Sequence, residues 1–140
     1  MPHHQKIYEC SIQVRGYEID GFGHVNNSVY LNYLEHARWM MLNEEGLTLE
    51  KFRKWQRWPV IARIEIDYLK PTFMHDTLEV RTRMIEYRKS SFLIEQEIFR
   101  KNSSENQKVA VARIKSVVID ETGKPAGLPD EMTVLWKAHS

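Results

Sequence analysis

At 140 residues and 16.7 kDa the chain has the length of one domain, which can bury about 70% of the surface its unfolded form exposes without disulfides or metals. Its formal charge of +1, from 20 basic and 19 acidic residues interspersed along the chain, gives no footprint for nucleic acid, and no apolar run approaches the roughly 18 residues of a membrane span. The single Cys10 excludes an internal disulfide, and with no secretory signal visible the expected location is the cytoplasm.

The N-terminal His3-His4 pair has no partner ligands in sequence, so no metal or cofactor is expected. From Tyr8 to Arg15, Tyr8, Cys10, Ile12 and Val14 alternate with Glu9, Ser11, Gln13 and Arg15, a period of two that predicts a half-buried strand. A loop follows, Asp20-Gly21-Phe22-Gly23-His24-Val25-Asn26-Asn27-Ser28. The period then changes: Tyr30, Leu31, Leu34, Ala37, Arg38, Met41 and Leu42 recur at helical spacing from Val29 to Glu45, and Gly46 supplies a stop. Leu47 to Trp58 predicts a short second helix and a connector.

Beyond Pro59 four alternating runs follow, Val60–Leu69, Thr77–Tyr87, Ser91–Lys101 and Lys108–Asp120. Turn chemistry separates them at Lys70-Pro71, Arg88-Lys89-Ser90, Asn102-Ser103-Ser104-Glu105-Asn106 and Glu121-Thr122-Gly123-Lys124, which predicts an antiparallel meander. Pro129 to Lys137 predicts a terminal helix. The expected class is therefore α+β: one domain over residues 1–140, a five-stranded antiparallel sheet wrapped around one long central helix. One face and edge of such a sheet want a cover, and a homodimer supplies it.

The Asp20 loop joins an ionisable side chain to the free N–H groups of a helix start, a combination that can attack and stabilise a carbonyl. Asp20 can act as general base or nucleophile, or merely cap the turn through the N–H groups of Gly21 or Phe22. His24 can orient water or protonate a leaving thiol, or satisfy loop carbonyls. Asn27 and Ser28 stand at the helix start as N-caps, as oxyanion donors, or as both. Glu35 and Arg38, three apart on the helix, can pair on one face.

Asp20-x-x-Gly23-His24-Val25-Asn26-Asn27-x-x-Tyr30, followed by Leu34-Glu35-x-Ala37-Arg38, resembles the signature of hotdog-fold acyl-CoA thioesterases of the 4-hydroxybenzoyl-CoA thioesterase type. Its GHVNN form is similar to the branch of bacterial long-chain acyl-CoA thioesterases and plant-type acyl-ACP thioesterases. Pro59-Val60, Tyr68-Leu69-Lys70-Pro71 and Glu86 to Phe92 extend the likeness over nearly the whole chain. The resemblance implies acyl-CoA hydrolysis, with acyl-ACP as an alternative substrate, a catalytic Asp20 and an oxyanion N–H at Asn27 or Ser28. Some relatives carry a His at the place of Asn27, which leaves the general acid open. Another branch uses a helix carboxylate as base, the position of Glu35 here. Arg88, Lys89, Ser90 and Ser91 match a turn that contacts coenzyme A phosphates; a solvated turn is the alternative. The family also implies a homotetramer built as a dimer of dimers. A non-catalytic acyl-thioester binding module on the same fold is the main rival, and a hydratase with a different His-centred pattern a weaker one.

Overall fold

A computed structural model describes residues 6–101 and 105–139; the His3-His4 pair and the Asn102-Ser103-Ser104 part of the third turn lie outside the described residues. The chain runs β1 (Tyr8–Gln13), a 3-10 turn (Gly16–Glu18), α1 (Val29–Glu44), α2 (Leu49–Trp55), β2 (Trp58–Tyr68), β3 (Thr77–Tyr87), β4 (Ser91–Lys101), β5 (Asn106–Ile119) and α3 (Asp130–Ala138). All five strands are antiparallel in the order β1-β3-β4-β5-β2.

The expected four-strand meander is corrected by this order. Strands β3, β4 and β5 do form a meander, but β2 pairs with β5 at the far edge and β1 takes the place beside β3. The segment from Leu69 to Asp76 is no hairpin turn: Leu69 and Lys70 both donate their N–H to Val109 O, and the carbonyl of buried Thr72 accepts from Val25 N at 2.9 Å. These bonds carry the chain across the end of the sheet instead of folding β3 back on β2. As an edge strand, β2 tolerates Pro59 within it. A bulge between Ile61 and Arg63 shifts its register, so that Pro59 and Ile61 oppose buried Val118 and Ser116 just as Ile64, Ile66 and Tyr68 oppose buried Ile114, Ala112 and Ala110.

Among the described residues three helices, rather than one long central helix, cover the apolar face of the sheet. The 16-residue α1 is the longest, and its Tyr30, Tyr33, Leu34 and Ala37 pack with Leu78, Val80, Ile98 and Ile114. Its last turn, with Met41 and Leu42, joins Phe52 of α2 and Met132 and Trp136 of α3 over Phe92, Ile94 and Val118. The C-terminal stop is a Schellman motif. Gly46 takes φ +72°, its N–H donates to Asn43 O at 3.0 Å, and the N–H of Leu47 reaches Leu42 O at 2.8 Å while both leucines enter the core.

The residue just before that glycine ties three elements together. The Glu45 carboxylate accepts from the Tyr8 hydroxyl at 2.6 Å, lies 3.0 Å from His139 Nε2 and pairs with Lys6 at 3.6 Å. Burial works to raise the Glu45 pKa, but the hydrogen bonds from Tyr8 and His139, with the charge of Lys6, outweigh it and hold the carboxyl below its ordinary range. A depressed folded-state pKa stabilises above the unfolded value, and that stability is lost as pH falls through the folded one. The wild type should therefore exceed Glu45→Gln in stability by about 1–2 kcal/mol at neutral pH. In thermal melts the gap should close once the pH falls below the ordinary carboxylate range; a gap unchanged in acid would remove the charge from this account.

Candidate active site

The loop after β1 is organised by its own side chains. Asp20 Oδ1 accepts from the N–H of Phe22 at 2.8 Å and of His24 at 3.2 Å, while Asp20 N donates to His24 O at 2.7 Å. One oxygen thus closes an Asx-type turn, the capping role open to an Asp at this place. The other, Oδ2, has no hydrogen-bond partner among the described residues. Gly23 sits at φ +86°, a conformation most side chains resist, which is what the reversal toward His24 requires.

The helix start is arranged in a complementary way. Asn26 Oδ1 accepts from both Ser28 N at 3.0 Å and Ser28 Oγ at 2.9 Å, and Asn26 O accepts from Val29 N at 2.9 Å. Ser28 holds the N-cap position but makes no side-chain cap bond of its own. That leaves the N–H of Asn27 with no acceptor among the described residues. On its other side Asn27 is anchored, because Tyr68, the last residue of β2, donates its hydroxyl to Asn27 O at 2.9 Å. Of the two oxyanion candidates at this start, Asn27 therefore keeps a free N–H and Ser28 does not.

Asp20, His24 and Asn27 line one cleft of about 330 Å³, together with Tyr30, Tyr68 and Pro71. Tyr30 forms its floor: the ring meets Tyr68 edge-on at 5.3 Å, and the hydroxyl lies 2.7 Å from Thr72 Oγ1. Burial pushes the Tyr30 phenol pKa upward, so it stays a neutral hydrogen-bonding group. His24 is exposed and sets its ring edge-on to Phe73 at 5.3 Å. Its ring does not satisfy buried carbonyls as the bland reading of the sequence required; only its backbone serves the turn.

Glu35 lies elsewhere. It is exposed on α1 and lines a second, mainly apolar cavity of about 220 Å³ with Arg38, Trp39, Phe52, Trp58 and Ile61. No Glu35–Arg38 ion pair forms among the described residues, because Arg38 reaches inward and donates from Nη1 to Gln96 Oε1 at 3.0 Å while Glu35 stays in solvent. Burial lowers the Arg38 pKa, partly offset by the nearby Glu35 charge. Buried Gln96 passes the link on, donating from Nε2 to Leu34 O at 3.0 Å and to Thr82 Oγ1 at 2.9 Å.

The Arg88–Ser91 turn is equally remote. The N–H of Arg88 donates to Ser91 O, the carbonyl of Lys89 accepts from Leu128 N, and that of Ser90 accepts from Val118 N. Arg88 and Ser91 border a third cavity of about 200 Å³ with Tyr87 and Lys115. The cleft adjoins the Thr77 end of β3 and this turn follows its Tyr87 end, so about 33 Å of strand separates them at ~3.3 Å per residue. Within one chain the turn does not meet Asp20. Among the described residues no cluster of three or more His, Cys, Asp or Glu could hold a metal ion, and no helix is long and apolar enough to cross a membrane.

Residues 14–134 match the model of a family described as the thioesterase-like superfamily, a span that contains the cleft, α1 and the whole meander. The chain belongs to the thioesterase-like superfamily. It is 33% identical over 129 residues to the long-chain acyl-CoA thioesterase FadM of Escherichia coli K12, covering 89% of this chain and 92% of that one. The crystal structure of YbaW from Escherichia coli superposes with a TM-score of 0.78 at 30% identity, over 95% and 99% of the two chains. Slr0204 from Synechocystis, a 1,4-dihydroxy-2-naphthoyl-CoA thioesterase, gives a TM-score of 0.83 over 92% and 94%; at 24% identity that likeness speaks to the hotdog fold alone. The family is thus one of acyl-CoA thioester hydrolases, and the present chain is a member of it.

Three residues that shape the cleft carry no reading of their own in the sequence: Glu18, Tyr68 and Thr72. Tyr68 had a faint signal, as a tyrosine at the end of an alternating strand just before Leu69-Lys70-Pro71. Glu18 had none, since a carboxylate two residues before Asp20 reads as solvated until its burial is seen.

Proposed function

We propose that this protein hydrolyses acyl-CoA thioesters in the cleft between Asp20 and the start of α1, as one thioesterase domain. The observation that carries the reading is the pairing, among residues lining one cleft, of a carboxylate oxygen and a backbone N–H that both lack partners among the described residues, Asp20 Oδ2 and Asn27 N–H. In the base mechanism Asp20 takes a proton from water, and the resulting hydroxide adds to the thioester carbon. The Asn27 N–H donates to the carbonyl oxygen as it becomes an oxyanion. Collapse breaks the C–S bond, and the thiolate of coenzyme A regains a proton from Asp20 or from His24 at the edge of the cleft. In the nucleophilic alternative Asp20 itself adds to the carbon, and the C–S bond breaks to release the coenzyme A thiolate, which takes a proton from His24 or solvent. Water then opens the mixed anhydride to the free acid and Asp20.

The apolar cavity bounded by Trp39, Phe52 and Trp58 suits an acyl tail, in keeping with the long-chain substrate of FadM. The inner face of β2, continuous through its bulge from Tyr68 to Pro59, leads from one cavity to the other. Phosphates of coenzyme A would meet Arg88, Lys89, Ser90 and Ser91 only on a second copy, given their distance from Asp20 along β3. That need, with the exposed β2 edge at Val60 and Ile61, favours a homodimer or a dimer of dimers.

A binding module without catalysis draws on one observation, the Asp20 Oδ1 already engaged as a turn cap. A free-thiol assay separates the two. Short, aromatic and long acyl-CoA substrates, with acyl-ACP as a further carrier, should release thiol with turnover. If tail burial contributes as apolar burial does elsewhere, kcat/KM should rise up to about fourfold per methylene until the cavity is full. Stoichiometric binding without thiol release would leave the module standing and remove the enzyme.

A further inference from the structure

Glu18 is 8% exposed and lies in the 3-10 turn two residues before Asp20. Its carboxylate is not idle. Oε1 accepts from the Arg15 N–H and from the hydroxyl of Tyr33, each at 2.8 Å, and Oε2 receives Arg15 Nη1 at 3.4 Å. Tyr33 is 2% exposed and sits on the second turn of α1. Burial first, and then its bond to Glu18, push the Tyr33 phenol above its ordinary range, so it remains a donor across the working pH range.

The backbone of the same residue makes the other half of the connection. Glu18 N donates to Arg15 O at 3.0 Å, and Glu18 O accepts from Asn26 N at 2.9 Å. One residue beyond Asn26 is the free N–H of Asn27, and two residues beyond Glu18 is Asp20. The two chemical groups of the cleft therefore flank a single buried residue, Glu18, whose backbone carbonyl holds Asn26 and whose carboxylate is tied to Tyr33 of α1.

We propose that Glu18, held by Tyr33, is a positioning residue that fixes the distance between the Asp20 carboxylate and the Asn27 N–H. This inference rests on the hydrolytic reading above. Without the bolt the 3-10 turn can shift against α1. The two groups then need not meet the same carbonyl, and misplacement by about 1 Å lowers turnover on the order of 100-fold. Binding of the acyl tail and of coenzyme A involves neither Glu18 nor Tyr33, so a positioning defect lowers kcat and leaves KM in place.

The test uses the full-length protein and an acyl-CoA that the wild type hydrolyses. Tyr33→Phe keeps the ring in the core and leaves Glu18 its Arg15 partners, so it retains the fold. Its kcat should fall about 10- to 100-fold with KM changed less than about twofold. Glu18→Ala should match it, and the Glu18→Ala/Tyr33→Phe double variant should be no worse than either alone. Glu18→Gln, which keeps an acceptor oxygen for both Tyr33 and the Arg15 N–H, should retain most of the activity. A Tyr33→Phe protein with lowered thermal stability but wild-type kcat would make the pair a structural tie only and overturn the proposal. A KM that rises in step with the loss would overturn it too. Absence of thiol release by the wild type on every substrate would overturn the hydrolytic reading and this inference together, whereas wild-type release with an unaltered Tyr33→Phe kcat would sink this inference alone.

Discussion

Asp20→Asn should lower kcat for thioester cleavage by at least about 10³-fold while the protein stays folded. The substitution keeps an oxygen that can still accept from Phe22 N and His24 N, so the turn built on Oδ1 survives. What disappears is the negative charge on the partnerless Oδ2, and an amide can neither take a proton from water nor attack a carbonyl at neutral pH. KM should move little, because the loss belongs to the chemical step. Thiol release under steady-state conditions, beside a thermal melt within a few degrees of wild type, gives the answer. An Asp20→Asn enzyme with full turnover would reduce Asp20 to the turn cap that its Oδ1 already is.

Asn27→Pro should cost about 10²–10³ in kcat, the range associated with removal of one oxyanion donor. Proline deletes the Asn27 N–H, which has no acceptor among the described residues, and a position just ahead of a helix accepts proline's fixed φ. Asn27→Ala is the necessary companion. It removes the side chain but keeps the N–H, and the Tyr68 bond to the Asn27 carbonyl is unaffected. Near-normal turnover in Asn27→Ala with collapse in Asn27→Pro would separate a backbone role from a side-chain one; equal losses in both would move the oxyanion site away from Asn27.

Both expectations concern residues of the Asp20 loop that the sequence alone singles out, and the reason is local. Period two in Tyr8 to Val14 and period 3.6 from Tyr30 to Leu42 follow from which side chains share a face, a property of neighbouring residues. Gly46, Thr77–Tyr87 and Ser91–Lys101 were legible for the same reason, and the structure returns the latter two strands with the same bounds. The motif from Asp20 to Tyr30 was equally local: carboxylate, turn and helix start follow one another within eleven residues of chain.

What sequence could not carry is whatever depends on residues far apart in the chain. Strand β2 looked like the first member of a meander, yet it pairs with β5, because bonds from Leu69, Lys70 and Val25 to distant partners direct the connector across the sheet. Glu35 and Arg38 have pairing distance along the helix, but burial draws the guanidinium to Gln96, 58 residues away. The Arg88–Ser91 turn and the Asp20 loop both looked like parts of one site, and only the length of β3 between them sets the turn apart from the cleft of its own chain. Glu18 gave no sign of itself until Tyr33 and Asn26 were seen to converge on it. By itself, then, the sequence determined the elements and the family likeness and singled out the candidate reacting groups, since periodicity, turns and adjacent residues encode them. Tertiary structure alone decided strand order, the partners of buried charge and the separation of the Arg88–Ser91 turn from the Asp20 cleft, because each depends on residues far apart in sequence.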